Sequence, residues 1–323
     1  MKEELRWIGP VLALIAGQTV YALAMFAIVG RPASPPLGYY FVASSVLITM
    51  IGSIFVLITL GKLSFRRDEL SLRAVGLAFV KNRRKLIVPI IGLQLFTLSA
   101  GFMTWTKAMI PYAIGFRWDT WLADVDKVIF GADPWVYTTP WMNILEPFYS
   151  GWFATLMIVF IGMCMAQPSE HRRIALVAFF GTWAIGTLVA SAMPAAGPIF
   201  FERIGLGSRF DALQLQPVYK WEADYLWAAH VSGKAGAAIG ISAMPSMHVA
   251  MTAWLAFAVR PWRWLFWPAV VFFLLIWLGS VGSAWHYSLD GLVGFFVAAL
   301  AFAISKRSLE VPFRQRPARM SLA

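Results

Sequence analysis

The sequence predicts an all-α fold, a polytopic membrane helix bundle of about eight transmembrane helices, and three observations carry that prediction. Only 13% of the 323 residues are charged and 59% are hydrophobic, against about 25% charged in a soluble domain. The apolar residues collect in long runs. In lipid such a run is a helix, because its backbone N–H and C=O groups must find partners inside the segment. Basic residues gather between alternate runs, so the net charge of +11 is a topology signal and not a nucleic-acid footprint.

In order, the runs fall at 7–29, 39–60, 86–110, 149–166, 174–194, 246–260, 264–281 and 287–305. The first also has the look of a signal peptide, with Ala22-Leu23-Ala24 as a cleavage site. Its apolar core exceeds the roughly 7–15 residues of such a segment, and cleavage would not change the orientation downstream. Pro and Gly within several runs are tolerated in a bilayer. The sixth is the weakest, since Ser246 and His248 enter its first turn. Cys164 is the only cysteine, so no intramolecular disulfide forms.

The segment from Lys62 to Lys85 carries eight basic residues. Arg172 and Arg173, Arg260 and Arg263, the N-terminal Lys2 and Arg6, and a tail with Lys306, Arg307, Arg314, Arg316 and Arg319 mark the same side. The positive-inside rule therefore places both termini in the cytoplasm and gives an integral, multi-pass protein. The chain divides into 1–85, two N-terminal helices and a basic cytoplasmic loop; 86–305, six helices with an outer segment and loop; and 306–323, a basic tail.

Two outer segments remain. Over 118–130, Trp118, Trp121, Leu122, Val125, Val128 and Ile129 share one helical face, away from Asp119, Asp124, Asp126 and Lys127. That pattern fits an amphipathic helix in the outer membrane interface, and equally a helix buried in an outer cap. Segment 195–241 is the longest outer loop, and its Pro and Gly suit backbone lining a polar cavity.

The chemistry lies at the outer ends of the sixth and eighth runs. His286 and Asp290 are four apart and share a helix face. An Asp that accepts the Nδ1–H of a His fixes the tautomer and leaves Nε2 as nucleophile, able to attack phosphorus and form a covalent intermediate. Pro245 suits a first helical turn, Ser246 adds a hydroxyl beside the free N–H groups of that turn, and His248 can protonate a leaving oxygen. Taken singly, each motif fits an ordinary helix start or a structural pair. Together on one face of the membrane they point to a site.

A phosphate also calls for positive charge. Arg203 is the first candidate, followed by Arg209, Lys220 and Lys234, with Lys107 and Arg117 behind. The candidate set is thus His286, His248 and Asp290 for catalysis, and Ser246, Arg203 and Tyr287 for substrate binding. Two His and one Asp can also hold zinc, but the spacing suits base and orienter better, and no acidic ligand cluster accompanies them. His230 and His171 have no motif around them and are read as surface residues.

The stretches AMPSMHVA, 243–250, and GSAWHYSLDGLVG, 282–294, resemble the second and third signature blocks of the type-2 phosphatidic-acid phosphatase superfamily. The form of HYSLD is most similar to the inositol phosphorylceramide synthase and sphingomyelin synthase branch. The resemblance spans roughly 174–305. It implies a six-helix core open to the outer leaflet, His286 as nucleophile oriented by Asp290, His248 as acid, Ser246 on phosphate, and no metal or other cofactor. Hydrolytic members carry Ser-Arg where this chain has Gly279 and Ser280, and their first block is absent here. Both departures tilt the expectation towards head-group transfer, from a donor such as phosphatidylinositol to ceramide or diacylglycerol, with a lipid-phosphate or polyprenyl-phosphate phosphatase as the alternative. The expected partners are membrane lipids as substrates, with no nucleic acid. A transporter or flippase using a histidine proton relay would spread ionisable residues through the bilayer depth, and these spans carry them at their ends.

Overall fold

In the computed structural model, residues 5–32, 34–65, 72–213, 215–234, 236 and 238–310 are described. The arginines expected to mark the tail at 314, 316 and 319, and Arg66, Arg67 and Lys2, lie outside them. The described chain is helical throughout, with no strand. Its helices are α1 (Ile8–Val29), α2 (Leu37–Phe65), α3 (Leu72–Ala113), α4 (Asp119–Phe130), α5 (Trp135–Thr138), α6 (Met142–Met165), α7 (Glu170–Ala192), α8 (Pro217–Ser232), α9 (Met247–Val259), α10 (Arg263–Gly282) and α11 (Ser288–Glu310).

Among the described residues seven helices are long and apolar enough to cross a membrane, α5 and α6 counting as one, and α9 is a shorter apolar helix. The bundle therefore has the predicted all-α, polytopic form, with one correction. At 13 residues, α9 reaches about 20 Å at 1.5 Å per residue, short of a hydrocarbon core of about 30 Å. The non-helical residues 238–246 lead into it, and they carry the polar chemistry.

α7 is the most buried span, and it packs against α3, α9 and α11. α9 also packs on α10 and α11, and α10 on α6. α1 packs on α3 and α7, α2 attaches through α3, and α2 leaves most of its apolar side chains outward. The main core joins Phe96, Phe160, Phe179, Phe180, Met251 and Trp254 from α3, α6, α7 and α9.

The basic segment differs from the expected loop. α2 runs on to Phe65 and α3 begins at Leu72, so most of that segment is helix. Two of the expected topology arginines, one from this segment and one from the start of α7, serve as helix caps. Arg84 donates to the Met165 and Ala166 carbonyls, and Arg172 to those of Met163 and Cys164. Together they satisfy the carbonyl end of α6, where no intrahelical donor remains.

Candidate active site

Three chain segments build the site, and local capping explains how each is held. At the start of α9 the Ser246 hydroxyl accepts the Val249 N–H at 3.4 Å, making Ser246 the N-cap. Pro245 consequently sits one residue before the cap instead of in the first turn. The Ser246 N–H donates to the Asp290 carbonyl at 3.0 Å. At the start of α11, Asp290 Oδ2 accepts the Tyr287 N–H at 2.9 Å, the reach-back of a capping box. The two helix starts touch closely: a Cβ on Gly294 would lie 2.6 Å from the Ser246 carbonyl oxygen.

This arrangement puts His286 against His248, with Nε2 of the first 3.4 Å from Nδ1 of the second. His286 Nδ1 lies 2.8 Å from the Ala243 carbonyl and 3.5 Å from Asp290 Oδ2. A carbonyl only accepts, so Nδ1 carries the proton and Nε2 of the neutral ring presents its lone pair. The expected orienter, Asp290, is therefore second in line. Ala243 precedes α9 and its carbonyl has no helical partner, whereas Asp290 Oδ2 is already occupied as a cap. The other carboxylate oxygen of Asp290 is buried without a hydrogen-bond partner.

His248 is packed between aromatic rings of α6, with Tyr149 stacked at 4.9 Å and Trp152 at 4.5 Å between centroids. Such faces favour a cation over them. Lys107 of α3 is near enough for its charge to act on His248. The loop before α9 packs on this lysine, for a Cβ on Gly240 would lie 2.9 Å from Lys107 Cγ.

α4 overturns the expected polarity of the 118–130 helix. Asp119, Leu122, Ala123 and Asp126 form its buried face, while Trp121, Val128, Ile129 and Phe130 are exposed. The acids turn inward because backbone donors meet them there. Asp119 accepts the Ala196 and Gly197 N–H groups at 2.8–3.0 Å and the Tyr287 hydroxyl at 2.9 Å. Asp126 accepts the Ser288 and Leu289 N–H groups at 2.6 and 3.3 Å. Burial pushes the Asp119 carboxyl above its ordinary range, against the pull of its donors. Burial first, then the charge of Asp290, raises Asp126 to about 6.

The candidate substrate-binding residues separate. Ser246 is fully buried beside the histidines. Tyr287 is buried and its hydroxyl is committed to Asp119, so burial and that charge push its phenol up. Arg203 is exposed and ion-paired with Asp224 of α8. Arg209 is spent on Asp124, Asp133 and the Ala123 carbonyl, fastening the loop after residue 200 to α4. Arg117, Lys220 and Lys234 are exposed. Lys107, Tyr149 and Trp152 are what sequence reasoning undervalued or missed. The only trace they leave is polar or aromatic residues at the ends of apolar runs, which a membrane-interface role explains equally well.

The other two histidines are not plain surface groups: His171 Nε2 bonds the Ala258 carbonyl at 2.8 Å, and His230 stacks on Tyr112 at 4.9 Å. Among the described residues no group of three or more His, Cys, Asp or Glu side chains is arranged to hold a metal ion. A cavity of about 460 Å³ lies outside Trp135, lined also by Thr139, Asn143, Gln216, Tyr219 and Gly282. Trp135 also lines a void of about 10 Å³ beside His286.

A family model described as the PAP2 superfamily matches residues 114–304, well over half of the chain. The chain belongs to the PAP2 superfamily. The match opens before α4, earlier than the stretch of resemblance seen in the sequence, so a PAP2 reading takes in the acidic helix as well as both histidine motifs. No curated protein and no solved structure matches the chain. As a PAP2 superfamily membrane protein it is consistent with a lipid phosphatase or phosphotransferase.

Proposed function

We propose that this protein is a lipid phosphotransferase in which Nε2 of His286 is the nucleophile, working at the outer face of the membrane. The observation that carries the reading is the His286 ring itself. Its Nδ1 proton is fixed by the Ala243 carbonyl, and its Nε2 faces a second histidine. The lone pair attacks phosphorus and the P–O bond to the lipid alcohol breaks. His248, held between Tyr149 and Trp152, takes up a proton once the negative phosphate is beside it and gives that proton to the departing oxygen. An acceptor hydroxyl then attacks phosphorus, its proton returns to His248, and the P–N bond breaks.

At 3.4 Å the two rings leave no room for phosphorus between them, so substrate entry parts them. Asp290 stabilises the imidazolium that attack creates, the part an acid plays in a hydrolase triad. Ser246 donates to a phosphate oxygen, and Lys107, in place of Arg203, supplies the positive charge. No metal takes part. The cavity outside Trp135 is within the size range of small-molecule sites and takes the donor head group.

Transfer is favoured over hydrolysis because His286 is only 5% exposed, a setting that keeps water from the intermediate. The likeness of HYSLD to the inositol phosphorylceramide synthase and sphingomyelin synthase branch supports the same choice. The distribution of Lys and Arg supports cytoplasmic termini and an outward-facing site.

The test uses purified protein and phosphatidylinositol labelled in the head group, with and without ceramide. Label entering a new lipid only when acceptor is present, and not with His286→Ala, is the expected result. Label released to water makes the protein a hydrolase. Undiminished transfer by His286→Ala overturns the mechanism.

A further inference from the structure

The two inward carboxylates of α4 between them hold the backbone that follows His286 and the segment at 196–197 that packs beside it. Asp119 grips Ala196 and Gly197 from one segment and the Tyr287 hydroxyl from another. Asp126 caps the first turn of α11 through the Ser288 and Leu289 N–H groups.

The segment that Asp119 holds is itself bonded into the site. Ala195 accepts the Ala243 N–H at 2.7 Å, and Ala243 in turn receives the His286 Nδ1 proton. Ile199 N–H donates to the Ala284 carbonyl at 2.9 Å. Gly197, at φ +100°, lies so close to the Trp285 carbonyl that a Cβ would be 2.4 Å from its oxygen. Residues 195–199, 243 and 284–289 thus form one hydrogen-bonded frame around the imidazole, with α4 as the bar that closes it.

A mere packing helix would bury apolar side chains. This one buries two acids beside Leu122 and Ala123 and leaves Trp121, Val128 and Ile129 outside. Burying a carboxylate is costly unless its hydrogen bonds compensate. Here five donors, four of them backbone N–H groups next to the histidine or its support, do so. Arg209 bonds the outer side of the same helix and keeps the bar in place.

We infer that Asp119 and Asp126 are positioning residues of the reaction, which hold the His286 backbone and the Ala243 carbonyl so that the imidazole keeps its Nδ1 proton and aims Nε2 at phosphorus. The inference rests on His286 being the nucleophile, but its geometric half can be measured without turnover.

The experiment compares wild type with Asp119→Asn, Asp126→Asn and Tyr287→Phe. Met163→Ala, in the core at the far end of α6, serves as a destabilised control. Each protein is read for thermal stability, for the protonated ring nitrogen of His286 by 15N NMR in detergent, and for kcat and KM on phosphatidylinositol with ceramide.

The expected result for Asp119→Asn is a mixed Nδ1/Nε2 tautomer population and a kcat lower by about 100-fold, the cost of a small misplacement of a reacting group, at unchanged KM. Tyr287→Phe loses part of the same effect, and combining it with Asp119→Asn adds little. Met163→Ala loses stability alone. If the aspartate variants lose stability like Met163→Ala while tautomer and kcat stay as in wild type, the inference is overturned. If wild type turns over none of the lipid while the tautomer still depends on Asp119, the frame stands and the functional reading fails. Should Asp119→Asn not fold, Tyr287→Phe and Asp126→Asn decide.

Discussion

At the scale of single residues, the arrangement around His286 differs from a triad in one respect with a measurable consequence. The Nδ1 proton rests on a backbone carbonyl at 2.8 Å, with Asp290 at 3.5 Å. Losing the acid of a serine-protease triad costs about 10⁴-fold because the wrong tautomer takes over. Here the carbonyl keeps the tautomer, so Asp290→Asn should lower kcat by nearer 10²-fold, and a full 10⁴-fold loss would show that the carboxylate alone orients the ring.

A second residue-scale prediction concerns Asp126, whose carboxyl is raised from 3.8 to about 6 in the folded protein. The folded state then binds more protons than the unfolded one between those values. Stability from this group is therefore full below about pH 4 and is lost as pH rises through about 6. Asp290 and Asp133 are the charges that add to the shift. In detergent, the melting temperature of wild type should fall relative to that of Asp126→Asn over this window, and parallel curves would refute the assignment. His248, Ser246, His286 and Asp290 were legible in the sequence because each motif is local and the spans carry both to one face. Lys107, Tyr149 and Trp152 were not, since one sequence does not reveal which spans lie beside α9.

At the scale of elements, the instructive case is α4. Its apolar stripe and its acids were both visible, but which side turns inward was not. That choice is made by free N–H groups at 196–197 and 288–289, far away in the chain. α9 teaches the converse. Its polar start was visible as a weak span though its shortness was not, and the structure uses both to bring the helix start and its hydroxyl cap to His286. α9 and α11 approach at Gly294, where a Cβ would meet the Ser246 carbonyl at 2.6 Å. Gly294→Ala should force the helix starts apart at a cost of about 1–3 kcal/mol, as overpacking does, and should lower activity by more than its effect on stability. Full activity in this variant would mean that the two starts need not stay in register.

At the scale of the whole molecule, length and hydropathy made the bundle legible, and the runs map onto the helices one by one. What they could not give was the extent of α3, because Arg73 and the charges from Lys81 to Lys85 interrupt the apolar run and read as a loop. The orientation account predicts labelling: in a Cys164→Ala background, Lys220→Cys should react with an impermeant maleimide added outside intact cells, and Gln167→Cys should not. The reverse pattern would put the site in the cytoplasm. The central claim is the covalent bond to His286, and trapping it is the most direct test. Protein would be mixed with phosphatidylinositol or phosphatidic acid labelled at phosphorus, quenched in alkali, where a phosphorus–nitrogen bond survives, and mapped by peptide. Label on the peptide containing His286, absent from His286→Ala, is the predicted result; label on another residue, or turnover that persists in His286→Ala, would contradict the account.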